Sequence, residues 1–418
     1  MRVLIKQAKI ICPYAPFHGE VKDILIEDGI ITFISDYLDV QADKTITSEN
    51  LHVSIGWMDV FAQFSDPGYE FRESLESGIA SAAAGGFTNV MIAPNTNPTL
   101  SSKTQIEYIV QKCSPFAVTI HPIGSITKNA AGNELAEMYD MHQSGAIAFS
   151  DGTNSVQNAG VMIKALQYVL ANRSVIIQIP DDKNIAANGL INEGIISTQL
   201  GLPGKPSIAE ELMISRDIEL AKYTNSKLHI TGVSTRRSIE IINEAQQLGV
   251  NITASATPYH AHFCDEDLMD YNTNLKVNPP LRTKSDMLAI REAIAEGVIN
   301  CIASHHTPLH SDEKNCEFEY AKFGMIGLEN VFGVLNSHSK KIETLISQLT
   351  TNPRNIFGLP IPNIAEGQMA CLTLFDPTAA YTFEENNIKS KSINNPYIGQ
   401  TFTGKVLGII NNNKNIFN

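Results

Sequence analysis

The chain carries eleven histidines, and three of them stand together in the run His305-His306-Thr307-Pro308-Leu309-His310. Three imidazoles are a zinc-like donor set. A single imidazole can also act as a general base, because its ordinary pKa lies near neutrality. Strand geometry argues against the metal: neighbouring residues of an extended strand point to opposite faces, so His305 and His306 do not easily reach one ion. Asp151 in the turn SDG, Asn95 in PNTNP, Asn278 in KVNPPLR and His260 in TPYH are the other polar candidates. His305 as base, Asp151 as its orienting carboxylate and Asn95 as a donor to a carbonyl form the smallest constellation for acid–base work. Each has a plainer alternative. Asn95 and Asn278 also read as turn residues beside proline, and His260 as a loop histidine. Asp181 and Asp182 read as a solvated helix start.

Such groups need a scaffold that brings them together. From residue 50 onward, short β-rich apolar runs alternate with helical patterns, the signature of βα units around a parallel sheet. Strands are read at 52–64, 88–94, 117–124, 146–152, 174–180, 227–234, 251–258 and 300–308. Between them lie RESLESGIASAAAGG, KTQIEYIVQKC, ELAEMYDMHQ, VMIKALQYVLAN, RRSIEIINEAQQ and SDMLAIREAIAEG, with apolar residues at helical spacing. Eight such strands predict a closed (β/α)8 TIM barrel, with a doubly wound open sheet as the alternative. Barrel chemistry sits at the C-terminal strand ends. In order these offer Phe61, Gln63 and Asp66; Asn95; His121; Asp151; Gln178, Asp181 and Asp182; Gly232 and Ser234; Tyr259 and His260; then His305 and His306. The flanks, residues 1–50 and about 362–418, alternate like strands of a small separate sheet that two chain ends can build together. The Asn-rich end NNNKNIFN reads as a frayed terminus.

Composition narrows the partners. A net charge of −13 without clustered Lys and Arg argues against nucleic acid. No apolar run is long enough for a membrane span, and the N-terminus has no signal-peptide pattern, so a cytoplasmic address is expected. The six cysteines are scattered without CxxC pairs and read as reduced thiols. Small molecules or proteins are the expected partners, with a homo-oligomer as the expected assembly.

Beyond these patterns, DPGYEFRESLESGIASAAAGGFTNVMIAPNTNP and PIGSITKNAAGNELAEMYDMHQSGAIAFSDG resemble conserved blocks of dihydroorotases. GLPGKPSIAEE, HITGVSTRRS, KVNPPLR, FGMIGLEN and NNPYIGQTFTGKV resemble further segments in the family's order, so the resemblance covers almost the whole chain. It implies a β/α barrel over 55–361 and a small β-sandwich from 1–54 and 362–418, as in cyclic amidohydrolases. It also implies pyrimidine biosynthesis, a cyclic amide substrate and a binuclear zinc centre that generates hydroxide and polarises the amide carbonyl.

The ligand positions carried over from the family are substituted here. The His-x-His that should end the first strand after Asp59 reads Phe61-Ala62-Gln63; phenylalanine cannot bind metal, and glutamine offers only a neutral oxygen. The strand-five histidine falls on Gln178 or Ile179, and the strand-six histidine on Gly232, with His229 expected on the opposite side of its strand as a barrel-exterior or strand-packing residue. His305 stands where the family has a metal-binding, proton-shuttling Asp, and Ser65 replaces the Arg that would grip a substrate carboxylate. Asp151, matching a bridging carboxylate, is the one surviving ligand candidate. No zinc or other cofactor is therefore expected. The expectation is a catalytically impaired, metal-free pseudoenzyme with a binding or assembly role, for which the resemblance suggests aspartate transcarbamoylase as partner. The alternative is an active cyclic amidohydrolase with a non-standard site, contacting substrate through Asn95, Asn278 and His260. A third expectation is a small-metabolite sensor; Phe61 would suit either a ligand or simple filling of the vacated cavity.

Overall fold

The computed structural model describes residues 1–339 and 341–418. Eight parallel strands form the central sheet: β1 (Trp57–Ala62), β2 (Phe87–Ile92), β3 (Thr119–Gly124), β4 (Ala148–Phe149), β5 (Val175–Gln178), β6 (Leu228–Thr231), β7 (Ile252–Ala256) and β8 (Cys301–Ile302). They follow one another around the sheet in chain order. The ends meet through a parallel bridge between Ala62 and His306, with His305 N to Phe61 O at 3.0 Å and Gln63 N to His306 O at 2.8 Å. The sheet is thus a TIM barrel and not an open sheet.

The two-residue period of the strands sorts their side chains. Met58 and Val60, Met91, Ile123, Ala148, Val175, Ile177, Cys301 and Ala303 fill the interior, and Phe357 packs into the same cluster from the helix Thr351–Phe357. Alternate residues such as Val90, Ile176, Leu228, Ile230 and Ile302 face outward and join the helices in the largest core.

Both chain ends build a second, curled sheet from Arg2–Ile11, Val21–Glu27, Ile30–Ser35, Lys44–Ile46, His52–Ile55, Leu372–Thr382, Thr401–Asn411 and Lys414–Phe417, which is the β-sandwich. It closes over its own core of Val3, Ile5, Ile10, Ile24, Val53, Leu372 and Ile410.

Two expectations about elements need correction. The strand read at 52–64 is two strands in two different sheets. They break at Gly56, where a Cβ would lie 2.1 Å from Thr88 Oγ1. The terminal NNNKNIFN is not frayed: Asn412 and Asn413, at φ 52° and 55°, turn the chain back so that Lys414–Phe417 pairs with Gly408–Asn411. The 17-residue helix Ile208–Thr224, between β5 and β6, carries no clean apolar stripe because its buried face includes Glu210 and Asp217. Among the described residues no helix is long and apolar enough to cross a membrane, and all six cysteines are free.

Candidate functional site

A cavity of about 500 Å³ opens at the C-terminal mouth of the barrel, where this fold carries its chemistry. Phe61, Ile179, Tyr259 and His305 line it from the strand ends, with Gln63, Asn278 and Thr307 beside them. Arg72, Lys276 and Lys322 also line it.

The ends of β1, β6 and β8 pack around one histidine. His305 adopts φ 46° and is buried. Its ring packs on Phe61, with centroids 4.8 Å apart, and fills the space in front of Gly232, where a Cβ would lie 2.8 Å from His305 Cε1. Behind it runs a chain of polar contacts. His229 Nδ1 meets Thr253 Oγ1 at 2.9 Å and His229 Nε2 meets Ser255 Oγ at 3.0 Å. Ser255 Oγ donates to Thr231 Oγ1 at 2.8 Å, and Thr231 Oγ1 meets His305 Nε2 at 2.8 Å. His229 therefore points into the barrel, where its ring lies edge-on to Phe357 at 5.5 Å, and not outward as expected. Gly232, at φ 78°, interrupts the strand alternation that the expectation relied on. Burial, followed by the nearby His260 and His229, holds the His305 pKa down at about 3. A neutral imidazole of such low basicity is a poor general base.

Asp151 is committed elsewhere. Its Oδ1 accepts from Thr127 N at 2.8 Å and its Oδ2 from the Thr127 hydroxyl. It does not line the cavity, and His305 is oriented by Thr231 instead. Burial pushes the Asp151 carboxyl up, against the opposing hydrogen bonds of Thr127. Asn95 ties two loops together, with its Nδ2 donating to Asp151 O at 3.1 Å and its Oδ1 accepting from Thr153 N at 2.9 Å. Gln178 points away from the mouth, where Nε2 donates to Val156 O and Asp217 Oδ2, each at 3.3 Å. Ile179 is the residue that faces the cavity from β5.

The remaining candidates hold loops. His260 Nε2 meets Pro279 O at 3.1 Å, and its Nδ1 meets Thr257 Oγ1 at 3.0 Å; it does not line the cavity. Asn278 does line the cavity, but its Oδ1 accepts from Lys205 Nζ at 2.6 Å and its Nδ2 donates to Asp181 Oδ2 at 3.0 Å. Asp181 is thus no solvated helix start: it is buried and paired with Lys205 at 2.8 Å. The three clustered histidines diverge. His306 turns to Glu73 at 3.3 Å, and His310 is exposed beside Asp312. Asp59 is buried under Ser304, whose N and Oγ donate to it at 2.6 and 2.7 Å; burial outweighs those bonds and raises its pKa to about 7.

A binuclear zinc centre asks for imidazole and carboxylate donors converging on one point. Phe61, Ile179 and Gly232 have no side-chain donor, Gln63 offers a neutral amide, and the two remaining candidates do not converge, since Asp151 does not line the cavity and His305 turns its Nε2 to Thr231. Among the described residues no three His, Cys, Asp or Glu side chains are grouped to hold a metal ion. The residues present do not fit the zinc centre.

The cationic rim has no signature of its own in the sequence. Arg72 is paired with Glu313, which also takes Lys322 at 2.9 Å, and Lys276 donates to Phe318 O at 2.7 Å and Glu319 O at 3.0 Å. Arg72 and Lys276 lie inside the quoted segments, but their spacing alone gives no sign that they meet across a cavity.

A family model described as Dihydro-orotase-like matches residues 52–238. The dihydroorotase of Pelotomaculum thermopropionicum is 38% identical over 409 residues, covering 97% of this chain and 96% of that protein. The dihydroorotase of Carboxydothermus hydrogenoformans is 40% identical over 412 residues, covering 97% and 95%. In structure, an L-hydantoinase (dihydropyrimidinase) from Arthrobacter aurescens superposes with a TM-score of 0.85 at 21% identity, covering 99% of this chain and 95% of that one, which supports the fold.

Proposed function

This chain belongs to the dihydroorotase family, and we propose that it is a cytoplasmic member that has kept the barrel without the metal, acting as a binding or assembly protein and not as a catalyst. The observation that carries this is the set Phe61, Ile179 and Gly232, three strand ends without a donor atom where a metal centre would need ligands. Three further features support it. The His305 ring occupies the space between two of those ends, its low basicity suits a packed residue better than a proton shuttle, and Ser65 offers no charge to hold a substrate carboxylate. What persists is a cavity large enough for a small cyclic amide or another compact metabolite. Aspartate transcarbamoylase is the partner proposed for the assembly role.

A second reading, a working cyclic amidohydrolase with a non-standard site, is favoured by one observation: the relatives named above are dihydroorotases matched along nearly their full length. Turnover decides between the two. With zinc supplied, dihydroorotate and carbamoyl aspartate should interconvert no faster than in buffer alone. Saturable turnover in either direction, lost in His305→Ala, would establish the second reading. For the assembly role, this chain and aspartate transcarbamoylase of the same source should co-elute as one species; separate elution would remove that partner.

A further inference from the structure

The polar contacts behind His305 fix more than its position, because each hydroxyl among them has a single proton to give. Ser255 Oγ donates to Thr231 Oγ1 at 2.8 Å, so toward His229 it only accepts, and His229 carries a proton on Nε2. Burial holds the His229 pKa down at about 3, so the ring is neutral. Its Nδ1 is then a bare lone pair that accepts from the Thr253 hydroxyl. At the other end, Thr231 is buried, and its hydroxyl has no acceptor besides His305 Nε2 among the described residues. A buried hydroxyl left without an acceptor costs about 1–3 kcal/mol, so Thr231 donates to Nε2. The His305 ring is neutral as well and therefore carries its one proton on Nδ1.

Every link thus points one way, from Thr253 through His229, Ser255 and Thr231 to the imidazole at the barrel mouth. His305 Nδ1 makes no hydrogen bond among the described residues, yet it is not sealed in the interior as the Tyr397 hydroxyl is, and its residue lines the cavity. The charged groups of the same lining are already met: Lys276 by Phe318 O and Glu319 O, Arg72 and Lys322 by Glu313. Asn278 is held by Lys205 and Asp181. What remains is an N–H donor beside the apolar walls of Phe61, Ile179, Leu190 and Tyr259. An occupant that presents only another donor there leaves both hydrogens unmet.

We propose that His305 is the specificity-determining residue of the barrel mouth, locked as the Nδ1–H tautomer and donating that hydrogen to a carbonyl oxygen of a neutral ring compound seated against Phe61 and Ile179. Thr231 and Ser255 are positioning residues that act through it. The inference rests on the metal-free reading above, because a metal ion at the mouth would take an imidazole nitrogen as an unprotonated ligand.

Nuclear magnetic resonance of the full chain, with isotope label confined to the histidine nitrogens, reads the tautomer directly, and His305→Gln assigns the signal. Two-bond couplings to the ring protons should show His305 protonated on Nδ1. Thr231→Val, nearly the same in shape, should remove that preference, and Thr231→Ser should keep it. Dihydrouracil, a neutral cyclic amide, is the probe ligand. It should shift the His305 Nδ1 resonance saturably by about 20 mM and bind about fivefold or more weakly to Thr231→Val. A His305 protonated on Nε2 in the parent, no saturable shift, or equal dihydrouracil affinity in parent and Thr231→Val would each overturn the proposal. His305 signals that change when a chelator strips zinc would instead overturn the metal-free reading, so the two failures are told apart.

Discussion

Gly232→Ala is expected to cost the fold about 2–4 kcal/mol, from a left-handed backbone worth about 1–3 kcal/mol and overpacking of similar size. Both terms are visible at the site. Gly232 sits at φ 78°, and its added Cβ would lie 2.8 Å from His305 Cε1 and 3.3 Å from Pro279 Cδ. His305 cannot simply step back, because Phe61 packs on its ring and Thr231 holds its Nε2. Urea denaturation of Gly232→Ala, His305→Ala and the double variant separates the terms. The double variant should be about 1–2 kcal/mol better than the sum of the singles, since removing the ring removes the overlap but not the backbone strain. Additive losses would mean that the His305 ring does not occupy the space in front of Gly232.

A larger loss, about 3–5 kcal/mol, is expected for Glu73→Ala. This carboxylate is buried where the start of helix Leu75–Ala84, the end of β8 and the C-terminal segment meet. Oε1 accepts from the Ser77 hydroxyl and from Lys391 N at 3.0 Å, and Oε2 meets His306 Nε2 at 3.3 Å and the Ser390 hydroxyl. Truncation leaves these groups unmet in a dry interior. The pH dependence follows from the same contacts. Burial pushes the Glu73 pKa up, but His306, Ser390 and Ser77 outweigh it and the net shift is downward from the ordinary 4.5. A carboxyl lowered by folding stabilises the protein above its unfolded pKa, and that contribution is lost as pH falls through the folded value. The parent should thus lose stability below about pH 4.5 more steeply than Glu73→Gln. Parallel acid profiles for the two would contradict the arrangement.

Much of the molecule could be read from its residues, and the failures have local causes. The helices at Lys103–Cys113 and Arg236–Gln247 coincide with the quoted apolar patterns because one face is apolar and the other charged. Helix Ile208–Thr224 hides charges inside: Glu210 meets Arg282 and Ser234, and Asp217 meets Arg216 and Gln178, so no apolar stripe announces it. At the mouth, the residue types at positions 61, 179 and 232 already argued against a metal, since they have no donor in any conformation. What could not be read was how the survivors are used. Asp151 looks available until Thr127 takes both its oxygens, and His260 and Asn95 keep family-like positions while serving neighbouring backbone. A carboxylate's availability depends on a loop that folds over it from elsewhere in the chain, and no spacing records that.

Zinc stoichiometry tests the central claim most directly. The full chain, produced with zinc in the medium and purified without chelator, should after dialysis contain far less than one zinc per chain by plasma mass spectrometry, and added zinc should leave its melting temperature unchanged. One or two zinc ions per chain retained through dialysis, with a raised melting temperature, would contradict a barrel that has lost its metal.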